Sequence, residues 1–106
     1  MSEGAPAAYQ VSYSEWVRER LLELAAEARR RGDGPQFVAA VREFHRRLCV
    51  YPQFGDPLSD LRGHPGHVRL GVVPPLAIRY AVLEEQRLVF VAAPPVLLHK
   101  SDAASG

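Results

Sequence analysis

Two arginines, Arg69 and Arg79, punctuate the first two of three short apolar segments that follow His67. A guanidinium is a rigid fork of donors that matches phosphate or carboxylate. Both arginines fall on the polar phase of short alternating segments. If those segments pair about a turn centred on Pro74, Arg69 stands opposite Arg79, with Gly71 and Ala77 on the same side. Two like charges so placed repel unless an anion or an acidic partner lies between them. Arg62, just before Gly63, and His99 with Lys100, after the last apolar run, can reach the same edge if the chain folds back. A histidine acting as acid or base near neutral pH, with arginine or lysine stabilising phosphorane charge, is the minimum set for metal-free RNA cleavage. The candidate catalytic residues are therefore Arg79, Arg69 and His99, and the candidate nucleic-acid or partner-binding residues are Arg62, Arg69, Arg79 and Lys100. The plain alternative for each is a solvated surface cation.

Other reactive residue types give weaker signals. His64-Pro65-Gly66-His67 lacks the further ligands and the helical spacing of a zinc motif, so neither a metal nor a cofactor is expected. Cys49 lies beside an apolar helical stripe, where a small buried thiol is the default, and the sequence fixes no base near it. Trp16 and Tyr80 read as core or interface residues. The run Arg29-Arg30-Arg31 and the cluster Arg42, Arg46 and Arg47 read as solvated helix faces that could add phosphate contacts. No Gly-rich phosphate loop, serine nucleophile motif or carboxylate pair at an interpretable spacing is present.

A chain of 106 residues holds one modest domain and buries roughly 65% of its unfolded surface, enough for a core without disulfides. The expected core spans about residues 9–100, with flexible tails over 1–8 and 101–106. Apolar residues make up 47% and charged residues 24%, and the formal net charge is +1. That composition excludes a disordered or generally basic chain, so any nucleic-acid role must come from a local patch. A single cysteine fits a reducing compartment, and no basic-then-apolar leader or run near ~20 apolar residues appears. A cytoplasmic protein without membrane partners is expected.

The elements that must position these residues follow from periodicity. Ala7 to Tyr13 alternates loosely as a first strand, and Ser12 with Glu15 offers a capping box, with Ser14 as a rival cap. Val17, Leu21, Leu24 and Ala28 form one apolar stripe of a helix over 15–31. Gly32-Asp33-Gly34 breaks it, and Pro35 opens a second helix with Phe37, Val41, Phe44 and Leu48 on its stripe. The result is an antiparallel helical hairpin whose apolar face needs a sheet. Pro52 ends the second helix, Phe54-Gly55-Asp56-Pro57 makes a tight corner, and a loop runs through His67. Strands follow over 68–72, 76–83 and 88–93, turned at Pro74-Pro75 and Glu84-Glu85-Gln86. The last reads as a central strand buried on both faces.

In this order, with Tyr51-Pro52-Gln53-Phe54-Gly55-Asp56-Pro57-Leu58, Leu61-Arg62-Gly63, Ile78-Arg79-Tyr80-Ala81-Val82 and Leu88-Val89-Phe90-Val91 as its marks, the chain resembles the RelE/ParE superfamily of toxins from bacterial type II toxin–antitoxin (plasmid stabilisation) modules. The resemblance covers about Tyr9 to Lys100. It implies a single α+β domain: an N-terminal strand and an antiparallel helical hairpin packed on an antiparallel sheet completed by a C-terminal three-stranded meander. It also implies a groove on the opposite sheet face lined by Arg69, Arg79 and, after the last strand, His99 and Lys100. Members cut mRNA in the ribosomal decoding site or poison DNA gyrase, and a cognate antitoxin silences them. This chain departs from the nuclease pattern at Gly71 and Ala77, and its terminal Val96-Leu97-Leu98-His99-Lys100 lacks an arginine-rich run ending in tyrosine. The departures favour a ParE-like or divergent member. A non-catalytic interaction module derived from the toxin fold, and a metal-free ribonuclease acting away from the ribosome, are the alternatives.

Overall fold

The computed structural model describes residues 8–61, 63 and 65–98. Strand β1 (Gln10–Tyr13) passes through one residue into helix α1 (Glu15–Arg30). Ser14 caps that helix: its Oγ accepts the Val17 amide at 3.1 Å, while its own amide donates to the Val91 carbonyl at 3.0 Å. Ser12 is committed to β1, opposite Phe90, so the capping box with Glu15 does not form. Gly32, at φ +81°, reverses the chain, a conformation that costs glycine little. Helix α2 (Gly34–Val50) then runs back along α1, with Pro35 in its first turn.

A short 3-10 turn, Pro52–Phe54, leads to β2 (Asp56–Asp60), β3 (His67–Val73), β4 (Leu76–Leu83), β5 (Leu88–Val91) and β6 (Val96–Leu97). The sheet order is β1-β5-β4-β3-β2, with β6 added to the start of β4 beyond the end of β5. The fold is α+β, two helices on one face of a mixed sheet. The expectation of a purely antiparallel sheet is corrected at β1, which pairs parallel to β5 from Gln10–Leu88 to Tyr13–Val91.

The segment expected as a loop contains β2. Its sequence Asp-Pro-Leu-Ser-Asp is exposed throughout and has no apolar alternation, so only backbone pairing to β3 makes it a strand. Pro57 is tolerated because β2 is an edge strand with a register shift between Pro57 and Ser59.

The core joins both helical stripes to the even-numbered side chains of β4. Val17, Leu24, Ala28, Phe37, Phe44 and Leu48 meet Leu76, Ile78, Tyr80, Val82, Val89 and Val91, all nearly solvent-free. Strand β5 is not buried on both faces as its sequence suggests. Val89 and Val91 point into the core, whereas Phe90 is 44% exposed on the far side.

Candidate functional site

The turn at Pro74-Pro75 decides where the two arginines go. It pairs Val73 with Leu76, so Arg69 stands opposite Tyr80 and Arg79 opposite Leu70. A hairpin centred one half-residue earlier, on Pro74 alone, would have set the arginines across from each other. Because side chains alternate along a strand, this offset sends them to opposite faces of the sheet. The expected cationic pair is thereby corrected. Gly71 and Ala77 separate in the same way, Gly71 facing Ile78 on the helix side and Ala77 lying opposite Val72 on the open side.

Arg69 serves the corner that follows α2. Its Nη1 donates to the carbonyls of Gln53 at 3.1 Å and Gly55 at 2.5 Å. Tyr80 holds the same corner from the neighbouring strand, donating its hydroxyl to the Pro52 carbonyl at 2.6 Å and accepting the Gly55 amide at 3.1 Å. The Tyr80 ring lies against Phe44 edge-on and stacks on Phe54, and burial pushes its phenol up to about 12. Four polar contacts, to the carbonyls of Pro52, Gln53 and Gly55 and to the Gly55 amide, tie the corner over residues 51–56 to the sheet. The guanidinium that sequence pattern offers to a ligand is thus engaged in holding backbone. His67, which the sequence offers only as a weak metal ligand, lies two residues before Arg69 on the same strand face; its Nε2 and the Arg69 Nε are buried without a hydrogen-bond partner among the described residues, and Asp60 stands opposite it in register.

Arg79 lies on the open face. There it is exposed amid Val68, Leu70 and Val72 of β3, Ala77 and Ala81 of its own strand, Phe90 of β5 and Val96 of β6. Val72 is 41% exposed, Phe90 44% and Val96 55%. None of the described elements covers this face, because both helices pack on the other side. The polar residues Gln10 and Ser12 of β1 border it at one side and the exposed strand β2 at the other. Arg79 makes no hydrogen bond or ion pair with the described residues. An apolar strip with a polar border and one unpaired cation at its centre has the chemistry of a protein-binding face.

No family model, curated protein or solved structure matches this chain. Arg62, His99 and Lys100 lie outside the described residues, as does His64. Of the helical cations, Arg46 and Arg47 share Glu43, at 2.8 and 2.7 Å, and the two guanidinium hydrogen bonds hold the Glu43 carboxyl down at about 2. Arg18, Arg29 and Arg42 have no such acid among the described residues. Trp16 is an exposed side chain rather than a core one. Cys49, read as an isolated thiol, has His45 beside it one helical turn earlier. The signal was available in the sequence, since residues four apart on a helix share a face. Among the described residues, no group of three or more His, Cys, Asp or Glu side chains is placed to hold a metal ion, and no helix is long and apolar enough to cross a membrane.

Proposed function

We propose that this chain is the toxin-type component of a RelE/ParE-like toxin–antitoxin module, acting by binding protein partners through the open face of its sheet rather than by cutting RNA. The observation that carries this reading is the apolar strip of Val72, Phe90 and Val96 around the unpaired Arg79. A cleavage site would need several cations and a proton-transfer group converging on one phosphate. Here Arg69 is spent on the Gln53 and Gly55 carbonyls, and Arg79 faces the other way. A gyrase-directed, ParE-like action suits a protein-binding face better than a RelE-like nuclease action does.

The silencing partner would have a second place to bind. Between α1 and α2, apolar hollows are floored by Leu21, Ala25, Val38 and Val41 and flanked by Arg18, Arg29 and Arg42. Three cations without an acid partner among the described residues, beside an apolar floor, complement an amphipathic helix with acidic flanks, the chemistry expected of an antitoxin segment that folds as it binds. The non-catalytic interaction-module reading uses the same surfaces and differs in predicting no effect on growth.

The test is induced expression of the chain in a bacterial host, with Arg79→Ala and Phe90→Ser at matched soluble levels. The proposal expects growth arrest by the parent and relief by both substitutions. Normal growth with soluble parent protein eliminates the toxin reading, and arrest that survives both substitutions eliminates the open face as its agent.

A further inference from the structure

The open face of the sheet carries its own electrostatic complement. Leu70 of β3 pairs with Arg79 of β4 on one side and with Asp56 of β2 on the other, so the three residues form a single row across the sheet. Residues directly opposite in an antiparallel ladder share a face, which puts Asp56 on the open side with Arg79. The corner agrees: a side chain at Gly55, in extended backbone, would run into the Tyr80 hydroxyl on the helix side, so the next residue points the other way. Asp56 and Arg79 are both exposed, and neither makes a hydrogen bond or ion pair with the described residues. Two strand spacings, roughly 10 Å, and the Leu70 side chain stand between them.

A cation and an anion set evenly about an apolar centre are self-complementary under a twofold rotation. An axis running along β3, midway between two such faces, lays β3 on β3 and carries β4 of one copy over β2 of the other. Arg79 then stands over the other copy's Asp56, and the reverse pair forms on the far side of the axis. Val68, Leu70 and Val72 of both copies meet along the axis, while Phe90 and Val96, one strand beyond Arg79, flank the contact. Stacked sheets sit about 10 Å apart, a gap that arginine and aspartate side chains reaching toward each other can bridge. An axis laid across the strands through the same row would instead set Arg79 over Arg79.

We infer that two copies of this chain associate through their open faces in a twofold dimer, held by reciprocal Arg79–Asp56 ion pairs about the apolar residues of β3. The inference rests on the proposed function only in reading this face as protein-binding, and not on growth arrest. The contact is four short strands wide, at the low end of specific interfaces, so the dimer is reversible and concentration-dependent. In the dimer the strip around Arg79 is hidden, and only the monomer offers it to another protein.

Sedimentation of the full chain over roughly 1–500 μM, a range suited to a small interface, reads the association. The parent should pass from monomer to dimer. Arg79→Asp and Asp56→Arg each set like charges opposite one another twice, so each alone should weaken dimerisation by at least about tenfold. Mixed one to one, the two variants restore both opposite-charge pairs, and the mixture should dimerise about as tightly as the parent. Circular dichroism establishes that both variants are folded. A parent that stays monomeric throughout overturns the inference and leaves the face to a different protein. So does a dimer that both variants form as well as the parent, or a mixture no tighter than its components. Growth arrest by a monomeric parent would retain the proposed function while this inference fails, and a dimeric parent that leaves growth unaffected would do the opposite.

Discussion

Arg69 and Arg79 look equivalent in the sequence, and replacing each with alanine should separate them sharply. Arg69→Ala removes a charged donor whose Nη1 bridges the Gln53 and Gly55 carbonyls, the latter in a buried residue. A hydrogen bond from a charged group contributes about 1.5–3 kcal/mol, and an acceptor left buried without a partner adds to the loss. Both contacts come from one nitrogen and are not independent, so the expected destabilisation is about 2–3 kcal/mol. With a urea dependence of about 1.5 kcal/mol per molar for a domain of this size, the unfolding midpoint should fall by roughly 1.3–2 M at unchanged slope. Arg79 is exposed and makes no described contact, so its alanine variant should stay within about 0.5 kcal/mol of the parent, a shift of roughly 0.3 M or less. Equilibrium urea unfolding followed by circular dichroism reads both. Equal losses for the two variants, or a larger loss for Arg79→Ala, would refute the assignment of one arginine to the corner and the other to the partner face.

Gly71→Ala should cost about 1–3 kcal/mol by thermal or urea unfolding, because a Cβ there would stand 2.8 Å from Phe54 Cζ, 2.9 Å from Phe44 Cζ and 3.0 Å from Tyr80 Cε1; a neutral result would mean the aromatic cluster yields easily. Burial raises the phenols of Tyr80 and Tyr13 to about 12, above the roughly 10 of an unfolded tyrosine. Their neutral forms favour the fold, so the contribution is fully present below about pH 10 and is lost as pH rises through about 12. Urea midpoints at about pH 9 and 11 should therefore differ, and Tyr80→Phe should reduce the difference; an unchanged midpoint in the parent would contradict the shift. Val72→Ser and Phe90→Ser, both on the open face, should leave the urea midpoint within about 0.5 kcal/mol while relieving growth arrest, whereas losses above about 2 kcal/mol would mean this face is part of the core.

The sequence by itself determined the local elements. Apolar residues at steps of three and four carry both helices, Gly32 permits the reversal between them, and the alternation Leu76, Ile78, Tyr80, Val82 points one face of β4 inward. Each of these rests on interactions within a few residues, so a one-dimensional pattern suffices. The tertiary structure alone decided which residues meet. The pairing of Val73 with Leu76 sent Arg69 to the corner and Arg79 to the open face, a difference of one residue in register that composition and propensity do not encode. The parallel pairing of β1 with β5 brought Tyr13 into the layer where it meets His45, across 32 residues of chain. Strand β2 exists because β3 offers it an edge, and its polar residues announce nothing of the kind. Faces follow from short-range chemistry, whereas register and long-range pairing follow from closing the whole sheet over one core.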